Sequence, residues 1–235
     1  MALSLIASGA NAAVLASDDF SYADGLLVPQ GGWTYHSGND DFMIVSGEAV
    51  IEHGTPSGDV NVLFTPTTGM VYFSFDFSVD DLGAPWAGTD SEYFAHFMDS
   101  GYGYRTRVDI VPPSGGGDFT LGVATSGGSA DATWATDLTY GVDYHVVGSY
   151  NQDANISRLW IDPVGLEPPY IMGADNDDPG DVMEKFGMRQ SDSSLNEIIR
   201  LDNLIIADAC EDVFETCPTV PNETHSWGEM KSLYR

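Results

Sequence analysis

The sequence predicts an all-β chain folded as a two-sheet antiparallel sandwich, and three observations carry that prediction. From about residue 42 onward, short runs rich in β-branched and aromatic residues alternate with turn residues, as in FMIVSGEAVIEH, NVLFTP, MVYFSFDFSV, EYFAHFMD, YRTRVDIV and DFTLGVAT. The pattern continues through YHVVGSYN, SRLWIDP and IRLDNLIIAD, while no comparably long segment has the 3.6-residue period of an amphipathic helix. The third observation is MVYFSFDFSV itself: Val71, Phe73, Phe75 and Phe77 alternate with Tyr72, Ser74, Asp76 and Ser78. A strand with one apolar and one polar face belongs to a sheet that buries one side against another sheet. The 235 residues, 43% of them hydrophobic, suffice for one such domain of about a dozen strands plus short appendages.

In chain order, residues 2–16 carry no charge, and Ala10-Asn11-Ala12 is a small-x-small pattern of the kind cut by a signal peptidase. A charged n-region is missing, and the other reading is a buried first strand or a frayed helix. We take residues 1–16 as a signal segment and 17–208 as the sandwich. Its strands are separated by turn chemistry at Thr67-Thr68-Gly69, Ser100-Gly101, Pro112 to Gly117, Ser126-Gly127-Gly128 and Asp177 to Gly180. Cys210 and Cys217 are the only cysteines, and their seven-residue spacing in a polar stretch suits a small-loop disulfide formed outside the cytoplasm. Two free thiols are the alternative. Residues 209–235 form a linker and tail, in which Trp227, Met230, Leu233 and Tyr234 give one apolar face of a short C-terminal helix after Ser226. That tail docks either on the sandwich or on an export or surface partner.

Charge excludes whole classes of function. Thirty-six acidic residues against eight basic ones leave a formal charge of −28, which repels phosphate backbones and anionic headgroups, so nucleic acid is not a partner. No apolar run reaches the roughly 20 residues that a membrane-spanning helix needs. Every Lys and Arg lies at or beyond Arg105, so the N-terminal half is purely anionic. Three explanations stand side by side: a saline habitat, structural calcium, or a cationic partner.

The opening DDFSYADGLLVPQGGW, the strand-turn-strand IVSGEAVI, the segment GVDYHVVGSYNQDANISRLWIDP and the closing IRLDNLIIAD together resemble the concanavalin A-like lectin/glucanase superfamily. More narrowly, they resemble the laminin-G-like jelly-roll domains of exported bacterial proteins. The resemblance spans about residues 17–208 and implies a jelly-roll sandwich with adjacent N- and C-terminal strands. It leaves function open, because this architecture hosts lectins, hydrolases, lyases and adhesion modules. It also implies a structural calcium whose ligands correspond to Asp19, the Gly47 carbonyl and Asp202, all hard oxygen donors. The acidic stretch Asp175 to Asp181 fails EF-hand spacing, since Phe186 stands where a Glu is required, and reads as a solvated loop. The sequons at Asn155 and Asn222 matter only in a eukaryotic secretory pathway.

The Glu-x-Asp-x-x-Glu strand of the glucanase branch is absent, so no catalytic residue is assigned. Strict alternation in GYRTRVDIV places Arg105, Arg107 and Asp109 on one face and Tyr104, Thr106, Val108 and Ile110 on the other. Sugar binding needs flat rings and planar polar groups, which makes Trp86, Tyr102, Arg105, Arg107 and Trp134 the candidate carbohydrate-binding set. The competing reading has those rings closing the core and the arginines neutralising carboxylates. The function expected is a secreted or cell-surface, non-catalytic domain whose partners are a polysaccharide or cell-surface glycan and other extracellular proteins. The alternative is a polysaccharide hydrolase or lyase built from Glu92, His96, Tyr104, Arg105 and Arg107, in which parity puts Glu92 and His96 on one strand face.

Overall fold

In the computed structural model, residues 13–38, 40–174, 180–193 and 195–219 are described. The expected C-terminal helix and most of the signal segment therefore lie outside the described residues. Sixteen strands occur among them: β1 Val14–Asp18, β2 Gly25–Leu26, β3 Thr34–Gly38, β4 Met43–Val45, β5 Glu48–Glu52, β6 Gly58–Leu63, β7 Met70–Val79 and β8 Glu92–Met98, followed by β9 Tyr104–Val111, β10 Thr120–Ala124, β11 Ala132–Thr133, β12 Tyr144–Asn151, β13 Ile156–Ile161, β14 Ile171–Ala174, β15 Lys185–Arg189 and β16 Ile198–Ala207. They form two antiparallel sheets. One runs β14-β13-β12-β7-β16-β5-β4-β2, with β1 also paired to β16, and the other runs β11-β10-β9-β8-β15-β6-β3.

The alternation in β7 builds the sandwich as the sequence requires. Phe73, Phe75 and Phe77 are buried between the sheets and meet Phe94, Phe97 and Phe186 from β8 and β15 with ring centroids 5.0–6.3 Å apart. Burying such rings supplies most of the driving force, roughly 25 cal/mol per Å² of apolar surface removed from water. The first strand pairs with the last, Val14 opposite Ala207 and Asp18 opposite Leu204. The sandwich thus begins at Val14 rather than at residue 17, and residues 14–16 belong to a sheet. Asp18 fixes this corner by accepting from the Phe20 N–H (2.9 Å), the Trp33 Nε1–H (2.8 Å) and the Tyr22 hydroxyl (3.1 Å).

The body also extends past residue 208. Cys210 and Cys217 are joined in a disulfide, and the segment it closes packs Val213 and Phe214 on the outer side of the nine-stranded sheet against Val147, Trp160 and Ala207. Phe214 meets the Trp160 ring edge-on at 5.2 Å. Part of that sheet's outer face is therefore covered by the chain itself.

Two strands depart from strict alternation, and both departures bear on function. In β9, Thr106 has φ +50° and its hydroxyl reaches inward to the Ser149 carbonyl (3.2 Å) and the Ser157 hydroxyl (3.0 Å). One extra residue flips every side chain before it to the opposite face. In β16, the register with β7 breaks between Asp202 and Ile205, Asn203 has φ +53°, and Asp202 and Asn203 both turn outward.

A close approach between two neighbouring strands of the nine-stranded sheet tests the packing, since Gly148 on β12 lies opposite Phe73 on β7. A Cβ added to Gly148 would lie 2.1 Å from the Phe73 ring, which is wedged against Phe75, Phe97 and Phe186 and has nowhere to move. Gly148→Ala is expected to lower unfolding free energy by about 1–3 kcal/mol in urea titrations. Gly116→Ala, which meets nothing within 4 Å, is the control expected to stay within about 0.5 kcal/mol of the parent.

Candidate functional site

The outer face of the seven-stranded sheet gathers aromatic, polar and charged side chains from five adjacent strands, β9, β8, β15, β6 and β3. The Thr106 bulge corrects the expected facing of β9: Tyr104, Arg107 and Asp109 share this outer side, whereas Arg105 points inward. There Arg105 pairs with Asp181 (2.6 Å) and donates to the Tyr150 hydroxyl (3.2 Å), so its guanidinium is occupied on the wrong side of the sheet for the candidate site. On β8, Tyr93 lies opposite Asp109, but the register shifts on either side of Ala95, and both Phe94 and Ala95 enter the core. The shift separates Glu92 from His96, which parity had placed together. Glu92 accepts a hydrogen bond from the Ser191 hydroxyl, and burial raises its pKa against the pull of the Arg189 charge.

The ring of His96 occupies the centre of the face. It lies 4.5 Å from the Tyr104 ring, 5.5 Å from Tyr93 and 6.3 Å from His36. Gly187 on β15 makes room for it, since a Cβ there would sit 2.6 Å from Nε2. His96 is 1% exposed, and neither ring nitrogen has a partner among the described residues. Burial holds its pKa well below the usual value, so the imidazole is neutral. Burial also pushes His36 down to about 4, with Lys185 adding to the effect. The Asn61 amide lies 3.0 Å from His36 Nδ1.

The cations surround these rings. The Arg107 guanidinium carbon stands 4.7 Å from the Tyr93 centroid and 5.2 Å from that of Tyr104, and Arg189 approaches Tyr93 from β15 at 4.4 Å. Lys185 lies 5.2 Å from the Tyr102 ring. Arg107 also donates to the Gly127 carbonyl, in a loop whose Ala130 N–H bonds the Asp90 carbonyl and whose Ala130 methyl covers Gly122. Gly122 is opposite Asp109, which is fully buried with both carboxylate oxygens unpartnered among the described residues. Burial pushes its pKa up to about 8, against the pull of Arg107 and with the push of Asp90 and Asp131.

Of the five expected carbohydrate-binding residues, Arg107 and Tyr102 are on this face, Tyr102 being 55% exposed and tilted against His36. Trp86 is 1% exposed inside the core, Trp134 packs against that core, and Arg105 is inside, so these three are not brought to it. Sequence reasoning missed Tyr93, His36, Lys185 and Arg189. A signal existed for β15: in KFGMR, Lys185, Gly187 and Arg189 alternate with the buried Phe186 and Met188.

The expected calcium ligands lie on the other sheet. The Asn203 bulge places Asp202 opposite Asp76, and Asn203 Nδ2 donates to both carboxylates, at 3.3 and 3.0 Å. Burial raises the Asp202 pKa, and the like charges of Asp76, Asp19 and Asp18 add to it. Asp76, Asp143, Asp202, Asn203 and Glu48, the neighbour of Gly47, line one cavity. Asp19 is exposed and accepts from the Ser21 hydroxyl (2.8 Å). The donor chemistry suits a hard cation, although Arg200 shares the cavity and an amide stands between two of the carboxylates. Among the described residues, three clustered ligand groups occur only at Cys210, Glu211 and Cys217, where both sulfurs are consumed by the disulfide.

With this architecture in place, comparison with solved structures is decisive for the fold. A seed lectin of Lotus tetragonolobus superposes with a TM-score of 0.50 at 14% identity, covering 75% of this chain and 93% of the lectin. The fold is that of the concanavalin A-like jelly rolls. A structure titled as a glycosyl hydrolase family protein from Mycobacterium fortuitum superposes equally well (TM-score 0.50, 12% identity, 83% of this chain and 99% of that one). A sialidase gives a TM-score of 0.56 at 16% identity; the match covers 86% of this jelly-roll chain but only 19% of the sialidase. No family model and no curated protein matches the sequence. No helix among the described residues is long and apolar enough to cross a membrane.

The buried carboxyl beneath Arg107 predicts a pH dependence. Because the folded-state pKa of Asp109 is raised to about 8 above its unfolded value, its contribution to stability is present in acid and is lost as pH rises from about 4 to about 8. In denaturant titrations, Asp109→Asn is expected to gain stability relative to the parent steadily between about pH 5 and about pH 8. A constant difference across that range would contradict a buried, protonated Asp109.

Proposed function

We propose that the outer face of the seven-stranded sheet is a carbohydrate-binding surface, and that the chain acts as a non-catalytic binding or assembly domain outside the cell. The observation that carries this reading is the ring cluster itself. Tyr93, Tyr102 and Tyr104 are partly open to solvent on one face, around the buried His36 and His96 rings, with guanidinium and ammonium groups interleaved. Flat rings stack on the C–H faces of sugars, and the polar groups between them meet hydroxyls. The lectin-type fold of the neighbours supports the same reading, and the disulfide supports an oxidising compartment.

Polysaccharide cleavage is the second reading, favoured by the neutral His96 against Tyr104 with Arg107 nearby. Of the set expected from sequence, Arg105 and Glu92 are turned to other partners, which leaves His96, Tyr104 and Arg107 to carry it. On a polysaccharide array, the chain is expected to be retained, with Tyr93→Ala and Tyr104→Ala each weakening retention about three- to tenfold and no change in polymer length. Release of reducing ends or unsaturated products, abolished by Tyr104→Phe, would move the assignment to the enzyme reading. Absence of retention on every polysaccharide would remove the glycan-binding reading.

Calcium is proposed at the Asn203 bulge, held by Asp202 and Asp19 with the Gly47 carbonyl, where it would clip the first strand to the last and relieve carboxylate crowding. Calcium at about a hundred times its dissociation constant stabilises the folded state by roughly 2.7 kcal/mol. The melting temperature should rise by several degrees with calcium at fixed ionic strength, and Asp202→Ala should lose that increment while keeping its response to sodium chloride. Equal responses in both proteins would reduce the acidic cluster to a solvated surface.

A further inference from the structure

Six of the eight basic residues are described; Arg158 lies over Tyr170 on the other sheet, and the partners of the remaining five divide them sharply. Arg200 is held by Asp80 (2.8 Å) and Glu48 (3.4 Å), Arg105 by Asp181 (2.6 Å), and Lys185 is within 3.4 Å of Glu184. Arg107 and Arg189 form no ion pair among the described residues, in a chain with 36 carboxylates to draw on. Both instead lie over the same Tyr93 ring, and each keeps one buried N–H without an acceptor, Nε on Arg107 and Nη1 on Arg189.

The carboxylates nearest to them do not fill the role. Asp109, two residues from Arg107, is fully buried with no ion pair among the described residues, and burial pushes its pKa up to about 8. Asp59, opposite Arg189 in register, forms no ion pair with it; burial raises the Asp59 pKa, and the Arg189 charge pulls it back down. Carboxylates near them act only at longer range, and a half-buried guanidinium with an unaccepted N–H is costly unless an anion arrives to complete it. Planar guanidinium donors match carboxylate and sulfate oxygens.

We propose that this face selects acidic glycans, seating a sugar carboxylate or sulfate between Arg107 and Arg189 with the adjoining ring on Tyr93 and Tyr104. The inference rests on the glycan-binding reading and adds the substrate class to it. Short-range contacts of this kind survive at physiological salt, where screening over about 8 Å removes the long-range repulsion between the −28 chain and an acidic polymer.

The test is affinity electrophoresis of the full chain at physiological salt against polygalacturonate, its fully methyl-esterified form, a sulfated galactan and the unsulfated galactan. Retention on an acidic polymer at least about tenfold stronger than on its neutral counterpart is the expected result. Preference for polygalacturonate assigns the anion as carboxylate, and preference for the sulfated galactan assigns it as sulfate. Arg107→Gln and Arg189→Gln should each erase most of the preference, and Arg189→Lys, which keeps the charge, should restore part of it. Because the wild-type comparison already decides the matter, a variant that fails to fold does not blunt the test. Equal retention on acidic and neutral polymers would overturn the acidic selectivity and leave glycan binding standing; no retention on any of the four would overturn both.

Discussion

The contact between β7 and the opposing β8 and β15 is the constraint from which the rest follows. Phe73, Phe75 and Phe77 project from one side of β7 into Phe94, Phe97 and Phe186, and this edge-to-face packing fixes which face of each sheet is inside. Once those faces are set, period-two geometry leaves each strand no freedom about the residues it presents to water, except where an extra residue is inserted. The outer face of the seven-stranded sheet is what remains when the phenylalanines of β8 and β15 have been buried. His96, Tyr93, Lys185 and Arg189 are on it because their neighbours Phe97, Phe94, Phe186 and Met188 are in the core.

The bulges convert this scaffold into sites. At Thr106 a left-handed backbone and two inward hydrogen bonds exchange Tyr104 for Arg105 on the outer side, which completes the tyrosine–arginine cluster and sends Arg105 to Asp181. At Asn203 the same device turns two consecutive polar residues outward beside Asp76. Bulges sit where a strand must re-aim a side chain, and both of these re-aim charged or polar groups.

Charge is distributed with the same economy. A −28 chain gains from every cation it can place against its carboxylates, and Arg105 and Arg200 are placed that way. Arg107 and Arg189 are placed against a tyrosine ring, beside a carboxyl whose pKa burial pushes up to about 8. The nine-stranded sheet differs: its outer face carries the Asp76–Asp202 cluster and, beyond it, the disulfide-closed segment with Val213 and Phe214. The arginines without ion pairs and the Asp76–Asp202 cluster thus lie on different outer faces.

The sequence by itself determined the all-β class, the sandwich and the inward face of β7, because each depends on local spacing and residue type alone; it left Cys210 and Cys217 as either a disulfide or two free thiols, and the structure joins them. The sequence also contained the concanavalin A-like resemblance that the superposition bears out at the level of fold. Tertiary structure decided which candidates meet. Trp86 and Trp134 are rings that sequence cannot tell apart as exposed or buried, and the core took the first entirely. Arg105 and Glu92 were misplaced because alternation counts residues, and a single left-handed residue at Thr106 or a register shift at Ala95 changes the count. No local pattern announces such a bulge: Thr106 adopts its strained conformation only because Ser149 and Ser157 on the facing sheet reward it with hydrogen bonds. The pairing of Arg107 with Arg189 was equally invisible, since 82 positions separate residues that strand order alone brings to one tyrosine ring.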